Sequence, residues 1–176
     1  MTGSPNVDKL LRMFFLRYNL SQKPVTVDRC NRIEIHLRHF LDLCGEDYLA
    51  SEQRQLLELE RQFQPYGSAF ARLMHAGELL AALPEFLAPE WLMNHGVDRK
   101  VQISHSDRLV RWLRGERLVD FRAHRMDLLH FRSAHKKFPS QTGPVVFDHG
   151  HNRPLINGEV PFGKIIMLKT QRIIKA

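Results

Sequence analysis

The sequence predicts an α+β fold with an N-terminal helical bundle, followed by two basic helices and a small antiparallel β-sheet. Apolar residues recur at helical spacing through most of the first 95 residues, and their spacing falls toward two after residue 140. Residues 1–95 carry 10 Lys and Arg against 12 Asp and Glu, whereas residues 96–176 carry 16 against 7. We therefore expect residues 1–95 to form an acidic to neutral bundle. Residues 96–176 should form a basic α+β region that packs with the bundle as one unit.

The first two helices are indicated by their boundaries and apolar positions. Ser4 can cap the first helix and Pro5 suits its first position, so we expect a helix to about Tyr18. The second helix opens near Thr26 and ends at Gly45. Its apolar residues form one stripe at helical spacing: Cys30, Ile33, Leu37, Phe40, Leu41 and Cys44. The two cysteines should therefore be buried free thiols, which is typical of a reducing, cytoplasmic compartment.

Three further helical segments complete the predicted bundle. Ser51 can cap the third helix, and a fourth covers residues 68–83. Pro84 and Pro89 then frame a short helical piece that ends near Gly96. No apolar run approaches the roughly 20 residues that cross a bilayer, and the charges near the N-terminus do not fit a secretory signal. We therefore expect no membrane contact.

The basic region is predicted to mix helices and strands. A short strand at residues 101–103 should precede a helix from Ser104 or Ser106 to Leu113, which Gly115 interrupts. A second helix should run from Glu116 to about residue 132. Candidate strands cover residues 145–147, 153–156, 159–162 and 164–174, and the Asn-Gly pair at 157–158 suits a tight hairpin turn.

Arginines gather on one face of each basic helix. The first helix places three arginines opposite its apolar side: Arg108, Arg111 and Arg114. The second helix places three within one arc: Arg122, Arg125 and Arg132. A helix-turn-helix with a β wing is one arrangement that would present such a helix to a nucleic-acid groove. The alternative is a solvated face, or arginines that pair with the acidic bundle of the same chain.

These patterns favour a non-catalytic nucleic-acid-binding protein, because arginine pairs with phosphate through two hydrogen bonds and displaces counterions. The expected contact residues are Arg108, Arg111, Arg114, Arg122, Arg125, Arg132, Arg153 and Lys164. Aromatic residues are scarce on the predicted arginine faces, which favours duplex over single-stranded nucleic acid. We expect no cofactor and no metal, since the chain has neither a phosphate loop nor a zinc signature.

Two other functions stay open. An adaptor or regulatory subunit would use the same basic face to bind an acidic protein partner. A histidine-dependent nuclease would use Asp148, His149 and His151, which fall in one turn where imidazole and carboxylate can act on a phosphodiester. Asp148 and His149 also suit the hydrogen bonds of an ordinary turn, in which Gly150 supplies backbone freedom, so we favour binding over catalysis. The apolar strand at residues 164–174 is expected to be a central strand of the sheet, and the alternative is a homodimer that pairs through this strand.

Overall fold

The computed structural model describes residues 4–20, 22–63 and 69–138. Within these ranges the chain forms seven α-helices and no strand. The α-helices are α1 (Val7–Asn19), α2 (Pro24–Cys44), α3 (Ser51–Phe63), α4 (Ala69–Leu73), α5 (Ala76–Phe86), α6 (Gly96–Gly115) and α7 (Arg125–Lys136). A short 3-10 helix, Gly45–Tyr48, links α2 to α3. No helix in the described part of the chain is long and apolar enough to cross a membrane.

The prediction of an α+β fold is wrong, because the part of the chain that the structure describes consists of helices joined by turns and contains no strand. The strand expected at residues 101–103 lies inside α6, and the sheet expected at residues 145–174 falls outside the described residues. The misleading alternation has a physical cause. Gln102 is fully buried, whereas its apolar neighbours Val101 and Ile103 are only half-buried. When a buried polar residue stands between two apolar residues of a helix, the sequence alternates between apolar and polar as it does in a strand.

The two basic helices also differ from the prediction. α6 runs without interruption over 20 residues from Gly96, and α7 begins only at Arg125. Residues 116–124 between them form turns, so Arg122 lies outside both helices. A helix-turn-helix joins its helices through three or four residues, so the expected motif is absent from this described segment. The expected β wing lies outside the described residues.

α6 ends at Gly115, where the sequence predicts a break. The residue that takes the left-handed conformation is Arg117, with φ of 55°. The N–H of Leu118 donates to the carbonyl of Leu113 at 3.0 Å, and the N–H of Arg117 donates to the carbonyl of Arg114 at 3.1 Å. This pair of bonds is a Schellman motif, which satisfies carbonyls that the helix end would otherwise leave free.

α2 is the central helix and contacts α1, α4, α5 and α6. The predicted stripe on α2 is confirmed, since all six of its residues are buried. Phe40 on this stripe packs against Phe86 and Trp91, with ring centroids 5.4 and 5.0 Å apart. The described helices therefore pack around a central helix whose core face is apolar from Cys30 to Cys44.

Asn6, and not Ser4, caps α1. Its side-chain oxygen accepts a hydrogen bond from the N–H of Lys9 at 3.0 Å, and its amide donates to the carbonyl of Arg72 at 2.8 Å. The N–H of Val7 donates to the carbonyl of Met74 at 2.8 Å. The start of α1 is thereby held to the end of α4 through hydrogen bonds that local sequence does not indicate.

The predicted fourth helix is divided between α4 and α5. α5 begins after His75 with a capping box, in which the carboxylate of Glu78 accepts from the N–H of His75 at 3.0 Å. α7 packs mainly on α5. Gly77 permits this approach, because a Cβ at that position would lie 2.6 Å from Nε2 of His124. α6 packs on α2 and α5. The division of the chain at residue 95 stays a prediction.

Candidate nucleic-acid interface

The last two turns of α6 separate apolar from basic residues as the sequence predicts. The core side carries three buried residues: Leu109, Val110 and Leu113. The three predicted arginines are exposed: Arg108, Arg111 and Arg114. Trp112 is half-buried and lies against Phe14 of α1, with ring centroids 5.7 Å apart. These three arginines are therefore accessible on a helix that its buried apolar side anchors in the core.

A cleft of about 270 Å³ brings together residues of α6, of α7 and of the turns between them. Three exposed arginines line its rim: Arg111, Arg114 and Arg132. Buried and half-buried apolar residues form its floor: Val110, Phe121, Leu128 and Phe131. We call this feature the arginine cleft. It joins arginines that are up to 21 positions apart in the sequence.

Asp107 is the acidic residue that lines the arginine cleft. Arg111 lies one helical turn after it and donates a hydrogen bond to its carboxylate. Neither Arg114 nor Arg132 makes an ion pair with any residue that the structure describes. Three guanidinium groups thus meet one carboxylate, and two of the three have no ion-pair partner among the residues that the structure describes. The cleft can therefore attract an anion.

Arg108 points to a different part of the molecule. Its guanidinium lies 4.9 Å from the centre of the Tyr18 ring on α1 and donates a hydrogen bond to the Tyr18 hydroxyl. A cation over an aromatic ring adds stability at such a contact. Arg108 therefore links α6 to α1 and does not line the arginine cleft.

Arg122 and Arg125 are exposed but do not line the cleft either. The N–H of Arg122 donates to the carboxylate of Asp120 at 2.9 Å, which fixes the turn before α7. Arg125 occupies the first position of α7, where the helix dipole disfavours a positive charge. Its placement thus adds no stability to the helix through the dipole.

Five candidate residues fall outside the described ranges: Asp148, His149, His151, Arg153 and Lys164. The proposed nuclease turn and the C-terminal part of the basic surface stay predictions. The C-terminal strand through which a homodimer was expected also lies beyond residue 138. Within the described ranges, no group of three or more His, Cys, Asp or Glu is placed to hold a metal ion.

Sequence patterns did not identify Asp107 and Phe121 as part of this site. Asp107 carries a usable signal, since a carboxylate four residues before an arginine on a helix indicates an ion pair with Arg111. Phe121 carries none, because the sequence predicts a helix there. Its position in the cleft depends on the turns at residues 116–124, which reverse the chain between α6 and α7.

Comparisons of this chain with models of protein families, with curated proteins and with solved structures find no match.

Proposed function

We propose that this chain is a non-catalytic nucleic-acid-binding protein that holds phosphate groups in the arginine cleft. The observation that supports the proposal is the convergence of Arg111, Arg114 and Arg132 from two helices on one cleft. Arg114 and Arg132 lack an acidic partner within the described ranges. Guanidinium groups that lack such a partner suit phosphate, because each guanidinium can donate two parallel hydrogen bonds to the oxygens of a phosphate group.

The surrounding charge supports the same proposal. Residues 96–138 contain eleven Lys and Arg against five Asp and Glu. Such an excess attracts a polyanion over distances of roughly one Debye length, about 8 Å at physiological ionic strength. The arginine cleft would then fix the position of the bound strand, and exposed arginines such as Arg122 and Arg125 would add contacts to phosphates at its margins.

The test is binding of the full chain to labelled duplex DNA, single-stranded DNA and RNA across a series of salt concentrations. We expect the logarithm of the affinity to fall linearly with the logarithm of salt concentration, because each phosphate contact releases counterions. The double variant Arg114→Gln with Arg132→Gln should reduce the slope by roughly two, about one for each lost phosphate contact. Each substrate is also checked for cleavage in the same tubes.

A matched control removes two positive charges from exposed positions on another helix. The double variant Lys9→Gln with Arg12→Gln changes α1 by the same net charge and leaves the arginine cleft intact. It should keep most of the affinity and of the salt slope. If this control loses as much binding as the cleft variant, then affinity reflects net charge alone and the proposal for the cleft fails.

A second candidate function is an adaptor, and one observation favours it. Met13, Leu16 and Leu20 of the α1 region are 45%, 65% and 79% exposed and recur at intervals of three and four residues. An exposed apolar stripe of this spacing is typical of helices that bind another protein. Absence of nucleic-acid binding at low salt would leave the adaptor as the better proposal. Cleaved substrate would instead favour the nuclease hypothesis.

A further inference from the structure

We infer that the arginine cleft accepts one unpaired nucleobase together with its phosphate, so that the protein binds single-stranded nucleic acid in preference to duplex. This inference rests on the proposed function and specifies the form of the nucleic acid. It differs from the sequence-based preference for duplex, which depended on the scarcity of exposed aromatic residues. The cleft contains an aromatic residue that the sequence pattern did not place there.

The floor of the cleft contains aromatic side chains. Phe121 is half-buried and lines the cleft, and Phe131 is buried in the same floor. In duplex, each base is covered on both faces by its neighbours and shows only its edges in the grooves. A base can rest its face on Phe121 only when it is unpaired and unstacked. Contacts of this kind are the usual basis for binding single strands.

The size of the cleft suits a single base. Its volume of about 270 Å³ lies just below the range of roughly 300–1,000 Å³ that is typical of pockets for drug-sized ligands. A single planar base fits this scale, whereas a duplex would have to lie across the opening without contact to the floor. The apolar floor would then stay unused.

The rim of the cleft is positively charged. Arg114 and Arg132 are exposed above the apolar floor and have no acidic partner among the described residues. Arg111 is held by Asp107, which fixes the position of its guanidinium group on α6. A nucleotide carries its charge next to its aromatic base. In the cleft, the positively charged rim would contact the phosphate and the apolar floor below it would contact the base.

The test compares a labelled single strand of about 12 nucleotides with a blunt duplex of the same length, using the full chain. The single strand should bind more tightly at equal salt. Phe121→Ala should weaken binding of the single strand by roughly 5- to 150-fold, the range expected for loss of one base–aromatic stack. Binding of the duplex should change little, because the duplex does not reach the floor of the cleft.

Two further variants separate stacking from packing. Phe121 also packs against the core, so Phe121→Ala can disturb the fold. Phe121→Leu keeps an apolar side chain and removes the aromatic face, and it should show the same selective loss for the single strand. Phe121→Tyr keeps the aromatic face and should bind like the unaltered chain. Thermal unfolding of each variant tests whether the fold is retained.

The outcomes distinguish this inference from the proposed function. Equal affinity for both forms, with no effect of Phe121→Leu, would overturn the inference and leave nucleic-acid binding in place. Absence of binding to either form at low salt would overturn the proposed function itself. Selective loss in Phe121→Leu, with retention in Phe121→Tyr, would support both.

Discussion

Sγ of Cys30 lies 3.3 Å from Nε2 of His105, in the buried contact between α2 and α6. Nδ1 of His105 lies 2.9 Å from the carbonyl oxygen of Val101, so Nδ1–H donates to this carbonyl and Nε2 accepts from the thiol. Burial, assisted by the positive charge of Arg108, lowers the pKa of His105 to about 4. Burial also raises the pKa of the Cys30 thiol. Both groups are therefore neutral near pH 7, and the pair is a core hydrogen bond.

The free energy of unfolding should fall as the pH drops from about 6.5 to about 4. In the unfolded chain His105 regains its ordinary pKa of 6.5 and binds a proton more tightly than in the folded chain. The stability that the neutral imidazole contributes is fully present above pH 6.5 and is lost progressively as the pH falls. The loss in the free energy of unfolding reaches about 3 kcal/mol near pH 4. Urea unfolding at several pH values measures this loss.

A variant without the titrating group isolates the contribution of His105. His105→Gln should be less stable at pH 7 but should lose less stability on acidification than the unaltered chain does. His130→Gln makes the same substitution at an exposed position on α7 and serves as the control. An unchanged pH dependence in His105→Gln would assign the acid sensitivity to other groups.

The core face of each helix explains why the sequence predicted α2 well and α6 poorly. The buried face of α2 is apolar at every turn from Cys30 to Cys44, so its spacing is visible. The core face of α6 begins instead with four buried polar residues: Asp98, Gln102, His105 and Ser106. A search for apolar periodicity ignores these positions. Asp98, Gln102 and His105 are satisfied by partners on other elements, whereas Ser106 donates to the carbonyl of Gln102 at 3.0 Å within α6.

The arginine cleft could be predicted in part. The charge pattern identified Arg111, Arg114 and Arg132 as exposed basic residues, because their faces follow from helical geometry alone. The floor could not be predicted in the same way. It depends on the turns at residues 116–124 and on the packing of α7 against α5, both of which involve contacts between distant parts of the chain.

Gln102 should be among the most sensitive core positions. It is fully buried, and its amide donates to the carbonyls of Phe86 and Trp91 at 2.9 and 3.0 Å. Its oxygen accepts from the N–H of Met93 at 2.9 Å. Gln102→Leu leaves the carbonyl of Phe86 and the N–H of Met93 without this partner, whereas the carbonyl of Trp91 keeps Nε2 of His36 at 2.7 Å. At about 1–3 kcal/mol for each of the two groups, we expect a loss of at least about 2 kcal/mol. Urea denaturation measures it.

An exposed glutamine provides the control for this substitution. Gln55→Leu on α3 makes the same chemical change at a solvent-facing position and should alter stability by no more than about 0.5 kcal/mol. Similar losses in both variants would show that the hydrogen bonds of Gln102 contribute little.

Arg117→Gly should stabilise the chain. Arg117 has φ of 55°, which costs a residue with a Cβ about 1–2 kcal/mol and costs glycine little. The greater freedom of glycine in the unfolded chain offsets part of this gain, so we expect a net gain of about 1 kcal/mol and a rise of roughly 2–4 °C in Tm. Arg122→Gly, in the turn before α7, should give no such gain. A decrease in Tm for Arg117→Gly would contradict the assigned conformation.

Gly45→Ala should destabilise the core, and Gly115→Ala should not. A Cβ on Gly45 would lie 2.5 Å from Cδ2 of the fully buried Phe70, although φ of −59° suits alanine. We expect a loss of about 1–3 kcal/mol from overpacking. A Cβ on Gly115 meets nothing within 4 Å, so alanine there should be neutral or stabilise α6 by up to about 1 kcal/mol.

A double-mutant cycle tests whether the clash with Phe70 causes the loss at Gly45. Phe70→Leu lowers stability by itself, but it shortens the side chain that the new methyl group would meet. The cost of Gly45→Ala in the Phe70→Leu background should therefore be smaller than in the unaltered chain, by about 1 kcal/mol or more. Equal costs in both backgrounds would place the strain elsewhere around the junction of α2 and the 3-10 helix.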